Sequence, residues 1–405
     1  MRGPNDGSTD SLRTEVGERA DRDSGDGPAA LRGAVSGDGR SAVRAGVPRM
    51  DSLLPEAGRS LESAAAVSGG GQRSSGSGRA DGGLVRLDRG ELRHGGPGFN
   101  ASVSRDGYAW WYIDALDDDG VYGLTIIAFV GSVFSPYYKW ARRGVGGADP
   151  MNHCALNVAL YGPRHRRWAM TERGAGVCAR DVDTFAIGPS ALNWCDDALV
   201  IDIDEITAPF PRRLRGRVTV RPRTMFGTVF DLDGQRRHRW RPIAPVADVE
   251  VDMIHPGLRW RGLGYLDHNA GDEPLEAGFT TWDWSRAHHG SDAILHYDAR
   301  SRAGTDCNLA LKLKANGDIE AVAPVAMTAL PKTLWRVERN ARSDLAAPAR
   351  VASTLEDTPF YARSVIDQRV CGHALRGFHE SLDLDRFCAP VVQGMLPFRM
   401  PRRAG

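Results

Sequence analysis

Every aromatic ring of this 405-residue chain (10 Trp, 9 Tyr and 12 Phe) lies at or beyond Phe99. A segment without such rings has too little apolar surface to offset the entropy of ordering its backbone. Residues 1–96 are rich in Gly, Ser, Asp, Arg and Ala, with glycine–serine runs at 68–71 and 74–78. They are expected to form a disordered tail. No apolar stretch follows Arg2, so they do not read as a secretory signal. Any packed core must come from about residue 97 onward.

Within that remainder, strand signals dominate. The run Tyr108-Ala109-Trp110-Trp111-Tyr112-Ile113-Asp114-Ala115 reads as an aromatic strand. Asp119-Gly120 marks a hairpin turn, and the return strand covers 121–130. The apolar run 124–134 is far shorter than the roughly 20 residues a membrane helix needs, so it reads as a buried strand. Further strands are expected at 153–161, 167–172, 194–206 and 214–221. In the last of these, arginines alternate with mostly apolar residues. Pro242 and Pro245 mark a connector, and a domain boundary is placed there. Strands at 280–286, 296–298, 309–313, 334–339, 362–368 and 373–382 follow. Many short strands with little helical periodicity argue for antiparallel β-barrels or sandwiches. The expected organisation is a tail (1–96), an N-terminal β domain (97–244) and a C-terminal β domain (245–405).

Charge and metal signals exclude several functions. A net charge of +1 gives no global drive toward nucleic acid or anionic membrane. The arginines between Arg212 and Arg223 follow an acidic strand carrying Asp202 and Asp204, so cross-strand pairing is their expected role. Asp117, Asp118 and Asp119 lack the EF-hand spacing and its terminal Glu. His288 and His289 are adjacent on a strand and point to opposite faces, so no metal site is expected there even with Asp292 nearby. None of the six cysteines forms a C-x-x-C pair; they read as reduced thiols in a cytosolic protein.

The chemistry concentrates in Arg261-Gly262-Leu263-Gly264-Tyr265-Leu266-Asp267-His268-Asn269-Ala270-Gly271. On a strand, Tyr265 and Asp267 share a face. His238 and Trp240 have the same spacing upstream. Two strands thus offer a carboxylic acid, an imidazole and two electron-rich rings. Trp282 and Trp284, on one face of a further strand, are candidates for binding an apolar substrate.

From about Phe99 to Arg403 the chain resembles the acyclic carotenoid 1,2-hydratases, or hydroxyneurosporene synthases. The stretches that carry the resemblance are Tyr108-Ala109-Trp110-Trp111-Tyr112, Gly123-Leu124-Thr125-Ile126-Ile127-Ala128-Phe129 leading to Phe134-Ser135-Pro136-Tyr137-Tyr138, and Met151-Asn152-His153-Cys154-Ala155-Leu156-Asn157. Further matches are Gly262-Leu263-Gly264-Tyr265-Leu266-Asp267-His268-Asn269, Glu380-Ser381-Leu382-Asp383-Leu384-Asp385-Arg386-Phe387 and Met395-Leu396-Pro397-Phe398-Arg399-Met400. The glycine-rich element is shared with a wider superfamily of two-domain lipocalin-like proteins. The resemblance implies an all-β fold of two consecutive lipocalin-like antiparallel barrels, a hydro-lyase activity without cofactor, and an acyclic carotenoid substrate such as neurosporene or lycopene. It implies functional roles for His238, Trp240, Tyr265 and Asp267. Such a substrate is almost insoluble in water and the sequence shows no transmembrane segment, so a cytoplasmic protein peripherally associated with the inner, photosynthetic membrane through exposed apolar residues near the cavity mouth is expected.

Hydrating an isolated trisubstituted alkene begins with protonation of its less substituted carbon. Water then captures the tertiary cation. Asp267 is the expected acid, held neutral by burial. Trp240 and Tyr265 are expected to stabilise the cation through their faces. Either His238 or Tyr265 handles the water. Two other readings stand beside this one: a non-enzymatic carrier of carotenoid or lipid, which needs no acid, and an oxygen-dependent hydroxylase, for which no flavin, haem or iron motif is present.

Overall fold

The computed structural model describes residues 84–85, 96–323 and 325–403. The tail expected over 1–96 lies almost wholly outside them. The described chain is built from antiparallel strands with only short helices, in the expected all-β, lipocalin-like manner.

Two large sheets carry the fold. The central strands of the first, in spatial order, are Cys154–Tyr161, Gly123–Val130, Tyr108–Asp117, Leu258–Gly271, His238–His255, Arg213–Pro222 and Ala198–Ile206. The second places Phe279–His289 between Asp292–Ser301 and His373–Asp383, with Tyr361–Val370 beyond the latter. A two-stranded ribbon, Ala326–Leu330 with Arg339–Ser343, stands apart from both.

Alternation along Tyr108–Asp117 divides the interior in two. Ala109, Trp111, Ile113 and Ala115 enter a core enclosed by the first sheet, with Phe185, Leu192 and Ile201. Tyr108, Trp110 and Tyr112 enter a second core, shared with Trp282, Trp284, Tyr297 and Phe378 of the second sheet. The neighbouring strand divides the same way: Leu266 packs in the first core and Tyr265 in the second. Each such ring or branched chain, once buried, contributes about 1.5–3 kcal/mol. Close pairing of these two strands requires Gly264. A Cβ there would come 2.4 Å from Val249 Cγ2 and 2.7 Å from the Asp114 carbonyl oxygen.

Several expectations shift in detail. The boundary placed at 244/245 falls inside one long strand, His238–His255. That strand bulges between Arg241 and Ala247 and stays paired with Leu258–Gly271. The chain changes sheet only after Gly271, through Leu275–Gly278 into Phe279–His289. The strand expected over 194–206 is a hairpin, Ser190–Cys195 with Ala198–Ile206. Its turn residues Asp196 and Asp197 both have positive φ, 50° and 56°, the geometry of a tight two-residue hairpin. The segment 334–339 opens with a turn held by Leu334 N–H donating 2.8 Å to Asp357 and runs on as loop; the strand there is Arg339–Ser343. The run 124–134 supplies a buried strand, Gly123–Val130. Arg217 pairs across the sheet with Asp202 at 2.7 Å. All six cysteines are free.

Candidate active site

The site lies where the two sheets face each other. Register places Asp267 opposite Tyr112 and Asn269 opposite Trp110 on the first sheet. On the second sheet a row runs Arg363, Glu380, Trp284, Tyr297 across three strand pairings. A small cavity of about 40 Å³ separates these rows. It is lined by Asp267, Asn269, Glu380 and the rings of Trp110, Tyr112, Trp282, Trp284 and Tyr297. Trp110, Tyr112, Trp282 and Glu380 also line a larger apolar cavity of about 430 Å³. The larger cavity continues past Phe129, Phe134 and Met170 to Trp335, Met395 and Phe398. Trp335 and Phe398 are 46% and 75% exposed, which marks its mouth.

Asp267 is buried and has no cationic partner among the described residues. Its Oδ2 accepts from the Trp240 indole N–H at 2.9 Å and from the Tyr265 hydroxyl at 2.8 Å. Its Oδ1 has only the Asn269 amide at 3.4 Å. The Asn269 amide oxygen in turn accepts from the Tyr297 hydroxyl at 2.9 Å, which fixes the amide with its N–H₂ toward Asp267. Burial pushes the Asp267 carboxyl up to about 8. The hydrogen bonds from Trp240 and Tyr265 oppose that shift, and the charges of Glu380 and Asp114 add to it. The group is therefore a neutral acid at pH 7, and its less engaged oxygen, Oδ1, is the one left to carry the proton.

The expected site residues separate into three groups. Trp240, Tyr265 and Asp267 come together, but the two rings hold the acid by N–H and O–H and do not line either cavity. Trp282 lines both cavities and Trp284 the smaller one. His238 lines neither. Its Nδ1 lies 2.8 Å from the Tyr108 hydroxyl and its Nε2 3.3 Å from Glu273. Its ring packs on Phe279 at 4.7 Å. Burial lowers its pKa, so the ring favours the neutral form. It reaches the cavities through other rings: Tyr108, which stacks on Trp110 at 5.0 Å, and Phe279, which meets Trp282 edge-on at 5.3 Å.

The model of the carotenoid hydratase family designated CrtC matches residues 126–405. The chain belongs to the carotenoid hydratase family. It is an enzyme, a hydro-lyase. It is 52% identical over 376 residues to the acyclic carotenoid 1,2-hydratase of Thiocapsa roseopersicina, covering 93% of each chain. It is 47% identical over 389 residues to the acyclic carotenoid 1,2-hydratase of Rubrivivax gelatinosus, covering 96% of each. The crystal structure of kievitone hydratase from Nectria haematococca aligns with a TM-score of 0.43 at 11% identity, over 71% of this chain and 98% of that one.

For a carotenoid hydratase, the sequence reading named as site residues three of the eight that line the small cavity, Asp267, Trp282 and Trp284. Tyr112 and Glu380 stood only within stretches that carry the family resemblance, with no role assigned, and Arg363 only as a member of a strand. Tyr112 alternates onto the same face as Trp110, and that signal was present. Glu380 and Arg363 had none, because a lone Glu and a lone Arg on separate strands look like any solvated pair. Asp283, the nearest spare carboxyl on a strand, points away from both cavities. It accepts from Asn340 and Ser381, and burial raises it only to about 6.

Proposed function

We propose that this enzyme adds water across the terminal 1,2 double bond of an acyclic carotenoid such as lycopene or neurosporene, giving a 1-hydroxy carotenoid. The observation that carries this reading is a neutral, buried carboxyl in a small cavity that shares Trp110, Tyr112, Trp282 and Glu380 with an apolar cavity open at its far end. A long polyene inserts one terminus past Phe129 and Trp282 and leaves the rest at the mouth. Asp267 Oδ1–H transfers its proton to C2 of the alkene, and positive charge develops at the tertiary C1. Trp110, Trp282 and Trp284 present electron-rich surface there, and a desolvated cation–π contact contributes about 2 kcal/mol or more. Water bonds to C1 and loses a proton, so one molecule of water is consumed and no electrons are exchanged. Trp240 and Tyr265 hold the Asp267 carboxylate formed on proton transfer, since their hydrogen bonds favour the charged form. A carrier of greasy ligands has no use for such an acid.

The substrate is nearly insoluble in water, so it must be drawn from a membrane. Leu334, Trp335, Val391, Met395 and Phe398 are exposed, and three of them border the cavity mouth. No helix among the described residues is long and apolar enough to cross a membrane. The proposed association is peripheral, on the cytoplasmic side, through this apolar rim.

Incubation of purified protein with lycopene in ¹⁸O-labelled water tests the reaction. The hydroxylated product is expected to carry the label. Label arriving instead from dioxygen, or carotenoid bound and recovered unchanged, overturns the reading.

A further inference from the structure

Hydration needs a group to take the proton that the attacking water releases, and His238 is held away from both cavities. We propose that Glu380 is this base. The inference rests on the hydration reading above.

Glu380 and Asp267 are the carboxyl groups that line the small cavity, one on each sheet. Their surroundings are opposite in kind. Asp267 meets neutral donors alone. Glu380 forms an ion pair with the buried guanidinium of Arg363, whose Nε and terminal nitrogen lie 3.0 and 2.6 Å from Oε1. The Tyr112 hydroxyl is 2.7 Å from the same oxygen. Every one of these bonds falls on Oε1. Oε2 accepts none among the described residues, and the side chain keeps 17% of its surface open. The free oxygen of an ion-paired carboxylate thus shares a cavity with a neutral acid. A carboxyl held by neutral donors and a carboxylate held in an ion pair can serve as acid and base.

The lining also supplies a donor. The buried Trp284 N–H has no hydrogen-bond partner among the described residues, and Trp284 pairs directly across the strand from Glu380. Together they offer a water molecule one donor and one acceptor. The other carboxylates nearby are engaged elsewhere. Asp114 lines neither cavity and is bound to Arg286. Glu356 lines the large cavity but not the small one.

The proton balance closes. Asp267 Oδ1 gives one proton to C2, the water oxygen bonds to C1, and the water proton passes to Glu380 Oε2. Transfer of that proton from Glu380 to Asp267 across the cavity restores both groups. Without the base, the cation has one way back: Asp267 reclaims a proton from C2 and regenerates the alkene.

Turnover in D₂O separates the two steps. Wild-type protein yields hydroxylated product. Glu380→Gln is expected to lose hydration by at least ~100-fold, the lower end of general-base effects, while recovered carotenoid still gains deuterium at C2. Asp267→Asn is expected to lose both product and exchange. Hydration by Glu380→Gln within tenfold of wild type overturns the assignment. So does loss of exchange together with hydration in a protein that melts normally. If Glu380→Gln does not fold, Glu380→Asp keeps a partner for Arg363. Its ratio of hydration to exchange should fall at least tenfold, and an unchanged ratio refutes the base. Wild-type protein that neither hydrates nor exchanges removes the hydratase reading and the base with it. Normal hydration by both wild type and Glu380→Gln removes only the base.

Discussion

At the residue scale the proposed chemistry turns on one carboxyl. Asp267 must be protonated to act, so turnover should fall as pH rises through about 8. Trp240→Phe keeps a ring and removes the N–H that lowers this pKa. The falling limb of the pH–rate profile should therefore move to higher pH; movement to lower pH contradicts the assignment. The same shift acts on stability. The folded pKa lies above the ordinary value of 3.8, so the folded state holds the extra proton between about pH 4 and 8. Stability contributed by Asp267 is complete below pH 4 and declines as pH rises through that window. At about 1.4 kcal/mol per unit, the change amounts to roughly a few kcal/mol. Asp267→Asn removes the penalty, so it should match wild type near pH 4 and melt higher near pH 8, as read by thermal unfolding at both pH values. Asp267 was legible in the sequence because strand alternation put it beside Tyr265. Its partner Glu380 was not, because nothing local connects strands on two different sheets.

At the element scale the two sheets are joined through a buried ion pair. Arg286 of Phe279–His289 binds Asp114 of Tyr108–Asp117, and both are nearly fully buried. Removing one partner strands a charge, so Arg286→Met should cost about 3–5 kcal/mol in denaturant unfolding. Asp114→Asn added to it should recover part of that loss. A double variant no more stable than Arg286→Met shows that the pair does not couple the sheets. The strands themselves were readable from alternation and turn chemistry, as Tyr108–Asp117 and Gly123–Val130 show. Errors came where both readings were locally satisfied. The turn at Asp196 and Asp197 carries no glycine, so the hairpin looked continuous. Pro242 and Pro245 suggested a break, yet the bulges in His238–His255 accommodate both within a paired strand.

At the scale of the whole molecule, the proposed route brings the substrate to the cavity from a membrane. Trp335→Ser with Phe398→Ser should lower co-sedimentation with liposomes and raise KM severalfold, with kcat little changed. Equal liposome binding by wild type and double variant contradicts the docking rim. Deleting residues 1–80 should leave melting temperature and turnover near those of the full chain, since this segment carries no aromatic core residue. The cut stops before Leu84–Val85, which pairs with Val229 and Phe230. A large fall in melting temperature refutes that expectation. The division of labour between sheets is what no stretch of sequence could display: an acid on one, an ion-paired carboxylate on the other, and a cavity formed only when they face. The most direct measurement is turnover of lycopene by Asp267→Asn and Asp283→Asn, each shown by circular dichroism to be folded. Asp267→Asn is expected to fall to background, because an amide has no acidic proton to give, while Asp283→Asn retains turnover. Near-normal hydration by Asp267→Asn together with its loss in Asp283→Asn would contradict the account.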